Sequence, residues 1–312
     1  VTADPAADPA HVVAATCGSD PSVTVVVPGF RPEALGAATC AVLEVDPEVA
    51  ELDDGCVCCA VRWDLIATLT RLADRRDPTR RVVVLVDPDA DVATAVQTLL
   101  GDAELRRTCV LDAVVHVVDV ATPATELAMP LGHSTATDTA LAVADHVILR
   151  GLGNLGPERA AALRRSLQAR ARGASLAVTP SAAAAVIDSP HAHWTLEGTQ
   201  HRRGHHGGSA LAEGGGSVRW MESTLPGQVD ADRLQDWLHE LGDRPGASLL
   251  RLEGVFTVVG EERPWVALGV RTTIELGETP LPHTTNHAAS IRLVARDLDP
   301  VGVRDALADC CV

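Results

Sequence analysis

Arg81-Val82-Val83-Val84-Leu85-Val86 is an unbroken, mostly β-branched run. Without polar alternation, such a run is the pattern of a strand buried on both faces. A second run of this kind, Ala113-Val114-Val115-His116-Val117-Val118, ends in Asp119. Between them, Asp91–Leu100 fits a helix. Upstream, His11–Thr16 and Val23–Val27 are strand candidates, and a helix is expected from Trp63 to about Arg76. Downstream, Thr135–Ala144 reads as helix and His146–Leu149 as strand. Pro157–Arg172 follows as a helix with proline at its first position, and Ser175–Val178 as a last strand. Repeated β-α-β units imply an α/β fold, a parallel sheet with helices on both faces.

The pattern then changes. His191–Gly216 is rich in glycine and carries His191, His193, His201, His205 and His206 without apolar periodicity. It reads as a flexible linker whose histidines either bind metal weakly or are simply solvated. After it, Val218–Glu222, Leu249–Val259, Trp265–Leu276 and Ile291–Ala295 read as strands. Ala231–Leu241 and Val301–Ala308 read as helices, the former with Leu234, Leu238 and Leu241 on one face. Strands outnumber helices, as in a small α+β domain with an antiparallel sheet. The expected organisation is an α/β domain over 1–190, a His/Gly-rich linker over 191–217 and an α+β domain over 218–312.

Composition narrows the chemistry. With aromatics at 2%, the cores must be built from valine, leucine and alanine. The net charge of −16 makes the chain a poor generic binder of phosphate backbones. Arg71, Arg75, Arg76, Arg80 and Arg81 form a local cluster that reads more simply as a solvated helix face. Apolar runs such as Val82–Val86 and Val114–Val118 are strand-sized, far short of a membrane span. The first residues lack the basic start and apolar core of a signal peptide, so a cytoplasmic location with reduced thiols is expected. The leading valine suggests a GTG start read literally; a misplaced start would omit residues upstream.

Cys56-Val57-Cys58-Cys59 is the strongest chemical signal. A core needing small apolar residues takes alanine or valine, whereas thiolates are the soft ligands of Zn²⁺ and Cu(I). Gly55 permits a tight turn, and Leu65, Ile66, Leu69 and Leu72 mark an amphipathic helix behind it. The thiols therefore lie near a helix N-terminus, where the dipole favours thiolate. Cys56 and Cys59 also meet the Cys-x-x-Cys spacing, so redox sensing is a lesser alternative. Cys310-Cys311 is either an exchange site or a pair of small residues at a helix end; Cys17, Cys40 and Cys109 read as ordinary small residues. No lysine occurs anywhere. A phosphate loop of the form G-x-x-x-x-G-K-[ST], whose lysine reaches the β- and γ-phosphates, is therefore absent.

Gly55-Cys56-Val57-Cys58-Cys59, with Arg62 and Asp64-Leu65, resembles the metal motif of the CobW-like family of P-loop GTPases and metallochaperones. Leu111–Asp119 resembles that family's strand after the Walker B region, and Ala144–Leu149 the strand leading to its base-recognition motif. Leu249-Leu250-Arg251-Leu252-Glu253-Gly254 and Arg296-Asp297-Leu298-Asp299 resemble its C-terminal domain. The resemblance implies a P-loop-NTPase-like parallel sheet followed by a CobW C-terminal-like α+β domain. It also implies Zn²⁺ held by Cys56, Cys58 and Cys59.

The departures fall on the nucleotide site. Where the family's phosphate loop belongs stands Pro28-Gly29-Phe30-Arg31-Pro32-Glu33-Ala34-Leu35-Gly36-Ala37-Ala38-Thr39. Pro32 removes an amide donor and Glu33 adds negative charge where phosphate would sit. The base-reading Asn-Lys-x-Asp is replaced by Arg150-Gly151-Leu152-Gly153. Asp87, Asp89 and Asp91 would bind Mg²⁺ only beside a nucleotide and otherwise read as a polar turn. Gly29, Gly36, Thr39, Asp87 and Arg150 are thus positions of a degenerate nucleotide site, and GTP with Mg²⁺ is not an expected cofactor. The expected function is zinc-binding, metallochaperone-like metal homeostasis without effective GTP hydrolysis. One alternative is a ribosome-associated remodelling or hibernation factor of zinc starvation, implied by resemblance to actinobacterial members lacking a working nucleotide site. Another is a GTP-binding metallochaperone, should the N-terminus be misassigned. The expected partner is a metal client or a ribosome-associated factor, with no membrane and no generic nucleic acid.

Overall fold

The computed structural model describes residues 22–27, 41–45, 65–67, 69–70, 81–86, 91–120, 136–178, 194–196, 199, 210–212, 218–225, 227–243, 249–278 and 289–312. Two compact units divide the chain: Val1–Met129 with Thr135–Ala192, and Pro130–Ser134 with His193–Val312.

The first unit contains β1 (Ser22–Val27), β2 (Ala41–Val45), β3 (Arg81–Val86), α1 (Val92–Gly101), α2 (Leu105–Thr108) and β4 (Val110–Asp119). It continues through α3 (Ala136–Val143), β5 (His146–Arg150), α4 (Pro157–Arg170) and β6 (Ser175–Ala177). The six strands form one sheet in the order β2-β3-β1-β4-β5-β6, and each neighbouring pair is parallel. Every residue from Leu111 to Val118 is buried, so β4 is covered on both faces, as the unbroken valine runs require. Buried Asp145 fastens this sheet. Its carboxylate accepts from the Val114 amide at 2.8 Å, and its carbonyl accepts from the Ser175 amide at 2.9 Å. β2 has no counterpart in the sequence reading: Ala41 and Glu44 dilute its five residues below a recognisable strand pattern. The expected strand at His11–Thr16 lies outside the described residues.

The second unit contains β7 (Ala210–Ala212), β8 (Val218–Leu225), α5 (Ala231–Gly242), β9 (Leu249–Phe256), β10 (Trp265–Val270), β11 (Thr273–Glu278), β12 (Ala289–Arg296) and α6 (Pro300–Ala308). Its sheet runs β11-β10-β9-β12-β8-β7, antiparallel throughout. Asp230 caps α5 by accepting from the Arg233 amide, and Asp299 caps α6 by accepting from the Val301 and Gly302 amides. Leu234, Leu238, Val303 and Leu307 of these helices pack with Leu252 and Phe256 of the sheet. Two sequence expectations change. Trp265–Leu276 is a hairpin and not one strand, and its turn is hidden because Arg271 takes the left-handed backbone (φ 53°) where glycine or asparagine would have signalled it. Within the stretch read as a linker, Ala210–Ala212 pairs with β8.

Gly254 shows why one glycine sits inside β9. A Cβ there would lie 2.5 Å from Cε2 of Phe256, a ring with 0% exposure. The ring folds back over the glycine and fills the space a side chain would take. Gly254→Ala is expected to cost about 1–3 kcal/mol through overpacking. Urea unfolding checks this as a lower midpoint at unchanged slope.

Candidate functional site

In parallel α/β sheets, ligands bind beyond the carboxyl ends of the strands where the strand order reverses. Here β1 is flanked by β3 and β4, so that point lies beyond Val27, Val86 and Asp119. The register sets Val26 beside Leu85 and Asp119 beside Arg150, which brings these strand ends to one edge. Gly29, Gly36, Thr39 and Asp87 lie outside the described residues, as do Cys56, Cys58, Cys59, His191, His193, His201, His205 and His206. The helix expected behind the thiols is present at 65–67 and 69–70, with Leu65 and Leu69 buried in the core.

Two segments of the nucleotide-site edge are described. Asp91 is the N-cap of α1, and its carboxylate accepts from the Ala93 amide at 3.0 Å. Asp91 thus serves as a helix cap, while Asp89, like Asp87, lies outside the described residues. The second segment follows β5. Gly151 adopts left-handed backbone (φ 75°), which glycine takes without strain, and opens a 3₁₀ turn over Leu152–Asn154. The Asn154 amide donates to the Gly151 carbonyl at 3.0 Å and the Leu155 amide to the Leu152 carbonyl at 3.1 Å. Leu152 is buried with Val118, Leu149 and Leu167. Gly153 is exposed, and a Cβ there would meet nothing within 4 Å. A side chain at Gly153 would therefore begin in open space. The turn closes through the Asn154 and Leu155 amides, and none of residues 151–154 is acidic.

The C-terminal thiols are also resolved. The Cys310 thiol lies 3.5 Å from the Ala306 carbonyl and 3.6 Å from the Arg233 carbonyl, as a donor. Burial, then the neighbouring Cys311 and Asp309, push its pKa up to about 11. Burial also raises Cys311. Both shifts favour the neutral thiol over the thiolate. Among the described residues, no group of three or more His, Cys, Asp or Glu is placed to hold a metal. No described helix is long and apolar enough to cross a membrane.

The sequence reading missed a charge ladder across β8, β12 and β9, partly buried at Glu222 and Arg292 and fully buried at Arg251 and Glu253. Arg292 stands opposite both Glu222 and Glu253 in register. Glu253 accepts from Arg251, whose guanidinium lies 4.5 Å from the Trp194 ring centre. Its signal was the polar alternation Arg251-Leu252-Glu253 inside an otherwise apolar strand.

A parallel sheet with a switch-point edge, followed by an antiparallel α+β unit, defines a nucleotide-binding type of fold with an appended domain. Residues 16–176 match the family model of the CobW/HypB/UreG nucleotide-binding domain, and residues 219–311 match that of the cobalamin synthesis protein cobW C-terminal domain. The chain belongs to the CobW family. The Zn(II)-bound crystal structure of the YjiA GTPase from E. coli has a TM-score of 0.60 at 14% identity, covering 98% of this chain and 95% of that one. A Zn(II)-bound YjiA GTPase with one glutamate and two cysteines changed to alanine has a TM-score of 0.62 at 17% identity, over 98% and 96%. At these identities the likeness establishes the fold. No curated protein matches the sequence.

Proposed function

We propose that this chain is a zinc-binding, metallochaperone-like protein of metal homeostasis that works without a GTP cycle. The observation carrying the second half is the turn after β5, where Gly151–Asn154 closes on itself and Gly153 offers no carboxylate. Together with the missing lysine, Pro32 and Glu33, this leaves both halves of a GTP site without their chemistry. The residues present do not fit GTP with Mg²⁺.

The thiol segment does fit zinc as cargo. Cys56, Cys58 and Cys59 supply soft donors, and a side chain from elsewhere or water would complete four-coordination. Zn(II)-bound structures of the YjiA GTPase, which shares the fold, support zinc as the metal; one of them holds zinc with two cysteines changed to alanine, so they do not bear on the thiols as its ligands. An incomplete site suits a carrier, which must release its metal to a client by ligand exchange. Reduced thiols are required, as in the cytoplasm.

The test is titration with a fluorescent GTP analogue in the presence of Mg²⁺. No saturable binding is expected below about 1 mM. Gly153→Asp alone should not restore it, since the phosphate half stays deficient. Micromolar, Mg²⁺-dependent binding by the unaltered chain would overturn the proposal.

A further inference from the structure

The second unit carries an open groove of about 630 Å³ between α5 and the β10–β11 hairpin. Leu238, Trp265, Ile274 and Leu276 give it an apolar floor. Trp265, Ile274 and Leu276 are only half-buried, although they pack against the core. Helix and hairpin meet at one end, where a Cβ on Gly242 would lie 3.5 Å from Cδ1 of Ile274. From that contact the groove opens along a strand of six residues, about 17 Å.

The rim is acidic. Asp243 and Glu278 line it and are exposed, and His239 pairs with Asp243 at 3.2 Å. Asp232 and Asp236, also exposed, stand three residues before the groove-lining Gln235 and His239, on the same side of α5. Among the described residues, no arginine lines the groove. The arginine of α5, Arg233, donates to the Asp309 carbonyl at 3.1 Å. An apolar floor between carboxylates calls for an occupant with apolar side chains flanked by cations. Two copies of a chain carrying −16 repel, and the same charge disfavours nucleic acid.

We propose that this groove docks a short cationic–apolar peptide segment of a partner protein. Two or three apolar side chains would cover Leu238, Trp265, Ile274 and Leu276, with an arginine or lysine reaching Asp243 at one end and Glu278 at the other. Every lining residue belongs to the second unit, so the proposal stands independently of zinc binding by the thiols.

The test uses the full chain and labelled heptapeptides with arginine at both ends and valine, leucine or phenylalanine between, followed by fluorescence anisotropy. A matching panel carries glutamate at the ends. The arginine panel is expected to bind with an affinity that falls as salt rises, and the glutamate panel at least about tenfold more weakly. Asp243→Arg with Glu278→Arg should weaken binding by about tenfold or more. Asp243→Asn with Glu278→Gln, a milder pair, should act in the same direction. The circular dichroism spectrum and Tm should stay unchanged. Absence of binding by the whole arginine panel, equal binding of both panels, or indifference to both variant pairs would overturn the proposal. Self-association of the unaltered chain lost in Leu276→Glu would assign the groove to a second copy and overturn it as well.

Discussion

Replacing Glu253 by alanine is expected to destabilise the second unit by about 3–5 kcal/mol, a large share of an ordinary domain's roughly 5–15 kcal/mol. Glu253 is 1% exposed and Arg251 4%. One oxygen of Glu253 accepts from Nε and Nη2 of Arg251 at 2.8 and 2.6 Å, and the other lies 3.6 Å from Nη1 of Arg292. Arg292 is held further by Glu222, whose oxygen accepts from Nε at 2.7 Å. Removing Glu253 takes from buried Arg251 the carboxylate that two of its guanidinium nitrogens meet, while the Trp194 ring stays beside it. Stacking of this kind is worth about 0.5–2 kcal/mol, less than the desolvation it would have to offset. Replacing Arg251 and Glu253 together by methionine and leucine should cost far less, because no charge is then stranded. Tryptophan emission during urea unfolding reports the effect well, since Trp194, Trp220, Trp237 and Trp265 all lie in this unit. A loss below about 1 kcal/mol for Glu253→Ala would show that water reaches the ladder and screens it.

The parallel sheet was legible because its central strands are long apolar runs, and β4 is buried on both faces. Arg81–Val86 and the core of β4 are continuous valine runs that admit few other readings. The antiparallel sheet was legible in outline only. Arg271 conceals a turn that its sequence does not announce, and Ala210–Ala212 joins the sheet from within a glycine-rich stretch. After β5, the departure of Arg150-Gly151-Leu152-Gly153 from the expected base-reading pattern is a matter of residue identity and so was open to the sequence. The 3₁₀ closure and the burial of Leu152 were not, because they depend on packing against β4, β5 and α4. The groove beside α5 also escaped notice. Its apolar lining residues come from three separate elements and share no local pattern.

The second large effect is expected at the thiols. Cys58→Ser with Cys59→Ser removes two of the three soft donors in the segment. Losing conserved outer contacts of a metal site already costs about 10–100-fold in affinity, so losing two thiolates should exceed about 100-fold. A single remaining thiol, Cys56, cannot hold zinc against a competing chelator of moderate strength. The histidines of 191–206 must be kept out of the measurement by substitution and not by deletion of the stretch. Trp194 stacks on Arg251 and Ala210–Ala212 completes the sheet, so cutting out 191–217 would injure the second unit itself.

The decisive measurement is therefore a zinc competition titration against a chromogenic chelator. Two proteins are compared, both with His191, His193, His201, His205 and His206 changed to glutamine, and one also carrying Cys58→Ser and Cys59→Ser. The expected result is one tight equivalent in the first protein and none in the second. Equal, weak binding by both would contradict the zinc-handling account and leave the thiols without a metal role.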